Sequence, residues 1–167
     1  MKGELTLEVP LLDLKRQYDQ IKDEVQEAIN DVLESTQYIM GEHVKKLEEE
    51  IAEYTNTKYT IGVASGTDAL LLSLDALDIG YGDEVIVPTA TFIAAVNPVT
   101  YMGAEPVFMD CGDDINIDPA KLESFLDNEC KMVDDKVINQ QTGKEIKAIV
   151  VVHVFGNPAD MERIMEI

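Results

Sequence analysis

Leu14, Tyr18, Ile21, Val25, Ile29 and Val32 recur at three- or four-residue intervals with charged residues between them. That spacing predicts an amphipathic helix with one apolar face. Val44, Leu47, Ile51 and Tyr54 predict a second helix after Gly41. The pattern then changes to short runs rich in β-branched residues. Thr60 to Val63, Glu84 to Val87, Pro106 to Met109 and Ala148 to Val152 read as strands. Between them, Thr67 to Leu77, Phe92 to Met102 and Pro119 to Leu126 read as helices. Asp118 is the expected cap of the last, with Pro119 at its first helical position. A further helix is expected from Pro158, capped by Asn157.

Val150, Val151 and Val152 form a continuous apolar run, which suits a strand covered on both faces. Strand–helix alternation of this kind predicts an α/β fold with a mostly parallel sheet flanked by helices. The expected division is a helical segment over 1–57 and an α/β domain over 58–167. Cys130 to Lys147 is polar and turn-rich and reads as a surface hairpin excursion. The chain ends at Ile167 inside a helix-like pattern, before a fold of this kind would be complete.

Composition narrows the function classes. The 167 residues are 46% hydrophobic, enough for a globular core, and 13 Lys and Arg face 33 Asp and Glu for a net charge of −20. A nucleic-acid partner needs a basic face to displace counterions, and an anionic membrane surface repels so acidic a chain, so neither is expected. Cys111 and Cys130 lack metal-ligand spacing and are expected to stay reduced. No metal site is expected. Met1 to Glu8 carries acids where a signal peptide needs an apolar run, so the expected location is cytoplasmic.

Candidate chemistry concentrates where strands end, because open α/β sheets bind ligands outside the carboxyl ends of their strands. Ile61 to Leu70 reads as a strand, a tight Ser65-Gly66-Thr67 turn and a helix start. Free N–H groups and the positive end of the helix dipole there suit a phosphate. Asp68 helps the dipole, but its carboxylate must point away from an anion while its amide faces it. Phe92, just past a strand end, is placed to cover a planar ligand or to fill the core. Thr89, Ala90, Thr91, Asp110, Cys111, His153, Phe155 and Gly156 complete the strand-end set, which holds no nucleophile-and-base pair. His153 reads as a hydrogen-bonded structural residue and His43 as a solvated one. The methionines read as core filler, with Met40 beside Gly41 the exception.

Taken in order, these segments resemble the DegT/DnrJ/EryC1/StrS family of sugar aminotransferases. The resemblance runs through Val9 to Leu14, Tyr38 to Val44, Leu47-Glu48, Ala52 to Tyr54 and Ser65 to Leu70. It continues through Gly82 to Pro88, Thr91 to Ala94, Gly103 to Asp110, Asn116 to Pro119 and His153 to Met161. It implies the N-terminal part of a fold-type-I large domain that binds pyridoxal 5′-phosphate (PLP), without the C-terminal small domain. The amides of Thr67 and Asp68 would hold the cofactor phosphate, with Gly66 permitting its approach, and Phe92 would stack on the ring. Tyr38, Met40 and Gly41 would line the substrate side. The resemblance implies a keto sugar nucleotide as acceptor, glutamate as amino donor and a homo-oligomer with active sites at its interface. The family's Schiff-base lysine and its pyridinium-pairing aspartate have no counterpart in residues 1–167. No catalytic residue is therefore assigned, and the chain alone is expected to be inactive. Two other readings remain: a PLP-dependent sugar dehydratase of the same fold, and a non-catalytic fragment that assembles with a partner chain.

Overall fold

A computed structural model of the protein describes residues 9–167, so the acidic stretch Met1 to Glu8 lies outside the described residues. It divides into two compact units, Met1–Gly62 and Val63–Ile167.

The first unit holds the two amphipathic helices, α1 (Leu14–Ser35) and α2 (Glu42–Thr55). The Asp13 carboxylate caps α1 by accepting the Arg16 N–H at 3.0 Å, and Thr36 closes the helix in the left-handed conformation. Asn56 closes α2 in the same way. Neither helix contains a buried residue, so both apolar stripes face outward within this unit. Gly41 starts α2 and is required where it stands, because a Cβ there would lie 2.7 Å from the Gln37 carbonyl oxygen.

The second unit is a three-layer α/β sandwich. Its elements are α3 (Gly66–Ala76), β1 (Asp83–Pro88), α4 (Asn97–Tyr101), β2 (Glu105–Met109), α5 (Pro119–Glu129), β3 (Cys130–Val133), β4 (Lys136–Asn139), β5 (Glu145–Ile149) and α6 (Met161–Glu166). The strands lie in the order β2-β1-β5-β4-β3, with β2, β1 and β5 parallel and the β3–β4 hairpin antiparallel. Period-two alternation in β1 builds both layers. Val85 and Val87 pack on one face with Leu74 of α3, Val99 of α4 and Val150. Ile86 packs on the other with Leu122 of α5, Ile146 and Ile164 of α6. The helices Asp118 and Pro119 announce, and the strands at Glu84 and Pro106, form as expected.

Four expectations need correction. Thr60 to Val63 forms no strand: no described segment pairs with it, and Ile61 is 77% exposed. Phe92 to Met102 is not one helix. Phe92 is extended, Ile93–Ala95 is a single 3₁₀ turn, and α4 starts afresh with Pro98 in its first turn. The ladder of β5 stops at Ile149, short of Val152, although the Val150 N–H still donates to the Ile86 carbonyl at 2.8 Å. The last helix starts at Met161, not Pro158. Asp160 caps it by accepting the Arg163 N–H, whereas the Asn157 side chain donates to the Asp114 carbonyl instead.

The segment after Cys130 is a hairpin, as expected, but it extends the sheet. Asp134 and Asp135 both have positive φ, the mark of a type I′ turn. Lys136 of β4 pairs with Glu145 at the start of β5, and Lys144 just before β5 pairs with Glu105 of β2. Nearby, burial works to raise the Asp83 carboxyl, but the Gly80 N–H and the Lys147 ammonium outweigh it and hold the group below the usual carboxylate range. Among the described residues no helix is long and apolar enough to cross a membrane.

Candidate functional site

The second unit gathers its candidate chemistry at the carboxyl ends of β1, β2 and β5. The α3 terminus is set by Ser65, which is extended and caps the helix. Its Oγ accepts the Asp68 N–H at 3.1 Å and donates to Asp68 Oδ2 at 2.8 Å. The Asp68 carboxylate therefore folds back onto the cap, where the sequence reading turns it away from the turn. The amides of Gly66 and Thr67 precede the first intrahelical bonds and point out of the helix. Gly66 is exposed, its φ is not positive, and a Cβ built on it meets nothing within 4 Å. The space around Gly66 is thus open, and the Asp68 carboxylate lies on the cap next to it. α3 packs on the 3₁₀ turn that follows Phe92.

Phe92 is 82% exposed and borders a cavity of about 430 Å³. Thr91, Ile115, His153 and Phe155 line it as well. Phe155 is 94% exposed and held at φ +54°, a conformation costly for a bulky residue. Exposed aromatics and local strain concentrate at ligand sites. Among the described residues, the Thr91 hydroxyl is the one buried side-chain polar atom without a hydrogen-bond partner.

Asn116 sets the walls of this cavity. It is 1% exposed. Its Nδ2 donates to Asp114 Oδ2 at 3.0 Å and to the Asn157 carbonyl at 3.2 Å, and its Oδ1 accepts the Val154 N–H at 3.1 Å. One satisfied amide thereby locks the loop carrying Ile115 to the loop carrying His153 and Phe155. His153 is hydrogen-bonded, its Nδ1 accepting the Ala159 N–H at 3.1 Å, and it also lines the cavity. At the end of β2, the Lys121 ammonium binds Asp110 and the Cys111 carbonyl. Hydrogen bonds from Lys121 and the Cys111 N–H hold the Asp110 carboxyl low, and the Lys121 ammonium is held high in return. Both cysteines are free thiols, and burial pushes Cys130 up.

Phe92 follows the carboxyl end of β1, and Gly66, Thr67 and Asp68 open α3, the helix packed on the turn after Phe92. Tyr38, Met40 and Gly41 belong to the first unit. There Tyr38 and Gly41 line a cavity of about 360 Å³ with Ser35, Gln37 and Val44. Met40 is 82% exposed at φ +49°. Asn116 and Ile115 escaped the sequence reading as site residues, whereas Phe155 stood in its strand-end set. The Phe155-Gly156 pair carried a signal in its Gly, but Asn116 sits in a loop whose partner is 38 residues away. Among the described residues no cluster of His, Cys, Asp and Glu is able to hold a metal. An open helix terminus, an exposed aromatic face and an unpartnered hydroxyl are features that a planar ligand carrying a phosphate, such as PLP, would use.

Known proteins resemble this chain over most of its length. Residues 19–167 match the DegT/DnrJ/EryC1/StrS aminotransferase family. A dTDP-3-amino-3,6-dideoxy-alpha-D-galactopyranose transaminase of Aneurinibacillus thermoaerophilus is 42% identical over 93% of this chain and 39% of its own length. The crystal structure of a DegT DnrJ EryC1 StrS aminotransferase from Brucella abortus superposes with a TM-score of 0.85 at 33% identity, covering 95% of this chain and 40% of that one. NtdA of Bacillus subtilis, solved with bound cofactor PMP, has a TM-score of 0.77 at 27% identity, covering 99% of this chain and 35% of its own. The chain spans about 39% of the length of the curated relatives it matches.

Proposed function

This chain belongs to the DegT/DnrJ/EryC1/StrS aminotransferase family, and on that premise we propose that it is the N-terminal part of an enzyme that transfers an amino group from glutamate to a keto sugar nucleotide with PLP as cofactor. When bound, PLP supplies the electron sink such a transfer needs. The residues of this chain bind and orient. The Gly66 and Thr67 amides, at the positive end of α3, receive the phosphate, and the Asp68 amide joins them when the Ser65 hydroxyl releases it. The Phe92 ring covers one face of the cofactor, and Tyr38, Met40 and Gly41 line the substrate side. The observation that carries this reading is the open space at Gly66 on a helix packed against the segment following the exposed Phe92.

No lysine within residues 1–167 matches the family's lysine motif, so the chain alone moves no amino group. The test is incubation with PLP, L-glutamate and a 4-keto nucleotide sugar. The 167-residue chain is expected to form no 2-oxoglutarate, whereas a polypeptide extended to the family's length forms 2-oxoglutarate and amino sugar in equal amounts. Sugar dehydration without amination by the longer protein would replace this reading with a dehydratase.

We also propose that the protein self-associates. The uncovered stripes of α1 and α2, with Leu14 62% and Leu33 55% exposed, support this. Sedimentation equilibrium is expected to give an oligomer, and a monomer at high concentration would count against it.

A further inference from the structure

A residue that lines the cavity beside Phe92 carries a buried polar atom that the fold leaves unsatisfied. Thr91 Oγ1 is buried with no hydrogen-bond partner, and Thr91 itself lines the cavity. Folded chains rarely keep such a group, because an unmet buried hydroxyl costs stability that a methyl of the same shape does not. Threonine occupies staggered χ1 wells, and a turn between them moves its hydroxyl relative to the cavity wall. Across the cavity, Nδ1 of His153 is taken by the Ala159 N–H, so a neutral imidazole carries its proton on Nε2.

A phosphate held at Gly66 and a ring stacked on Phe92 fix two points of a planar ligand. Stacking resists tilt but tolerates rotation of the ring in its own plane. A third, directional contact is needed to set that rotation, and the spare hydroxyl lies one residue from the stacking ring. We propose that Thr91 is a ligand-positioning residue whose hydroxyl hydrogen-bonds a polar ring substituent of the cofactor covered by Phe92. The proposal rests on the PLP reading and adds to it a contact that the family resemblance does not assign.

The test compares Thr91→Val, Thr91→Ser and Gly66→Val in the 167-residue chain, each by PLP titration and by thermal unfolding without ligand. Thr91→Val should unfold at the parent's temperature or above it, since it removes an unmet polar group. It should bind PLP about five- to tenfold more weakly, the loss of one hydrogen bond. Thr91→Ser should keep affinity within about twofold. A Thr91→Val chain that loses stability or fails to fold would show the hydroxyl to be a structural partner and overturn the proposal. So would unchanged PLP affinity in Thr91→Val alongside weakened binding in Gly66→Val, which leaves the PLP reading standing. A parent chain that takes up no PLP overturns both.

Discussion

Gly66→Val should lower PLP affinity about 10- to 100-fold while leaving the fold intact. A charge-assisted hydrogen bond from a backbone amide to a phosphate is worth roughly 1.5–3 kcal/mol, and each 1.4 kcal/mol is about a factor of ten. Valine carries two γ-methyls into the space that a Cβ at Gly66 finds empty. In the proposed site, that space is where the phosphate approaches the Gly66 and Thr67 amides. The same emptiness predicts the second half of the result. Nothing in the protein collides with the new side chain, and the backbone angle suits any residue. The strain that a tight glycine turn suggests from sequence is therefore absent, and stability should change by less than about 0.5 kcal/mol. Equilibrium titration with PLP, paired with urea unfolding, separates the two effects.

Asn139→Leu should have the largest effect on stability, a loss of about 2–4 kcal/mol. Glu84 sits in β1 at 2% exposure, and Asn139 Nδ2 donates to its carboxylate oxygen at 2.8 Å. Leucine removes that donor and leaves the carboxyl buried without it. Asn139 also holds the turn after β4: its Oδ1 accepts the Gln141 N–H at 3.0 Å and its carbonyl accepts the Gly143 N–H at 2.8 Å. Replacing both residues with leucine should recover part of the loss, because the unmet carboxyl disappears along with its partner. Urea unfolding of the two single variants and the double variant measures this. A single-variant loss below about 0.5 kcal/mol would show that Glu84 finds another partner.

Local rules carried the sequence reading as far as local rules decide structure. Asp118-Pro119 fixed the start of α5, and three- and four-residue periodicity fixed α1 and α2, because caps and helical faces are properties of neighbouring residues. The reading failed where a distant partner decides. Thr60 to Val63 has strand composition, but a strand exists only as a pairing, and no described segment supplies one. Asn157 is a good cap by type, yet the loop at Asp114 and Asn116 engages it, and Asp160 takes the role. The hairpin after Cys130 looked like an excursion because its pairing with β5, which joins it to the sheet, is not visible in its polar composition.

The site shows the same division. Gly66, Thr67 and Phe92 stand out in the sequence as candidates because each sits at a junction marked by a change of pattern. Thr91 was legible only as a strand-end hydroxyl. Its lack of a partner is a fact of packing that no spacing reveals. Asn116 was invisible as a site residue, since its work is to join two loops far apart in sequence.

The central claim is that the α3 terminus and Phe92 together bind PLP. A ¹⁵N-labelled chain titrated with PLP and followed by amide NMR tests it most directly. The account predicts saturable shifts that are largest for the amides of Ser65 to Asp68 and for those around Phe92, and that vanish in Gly66→Val. Saturation that moves other amides and leaves Ser65 to Asp68 unshifted would contradict it.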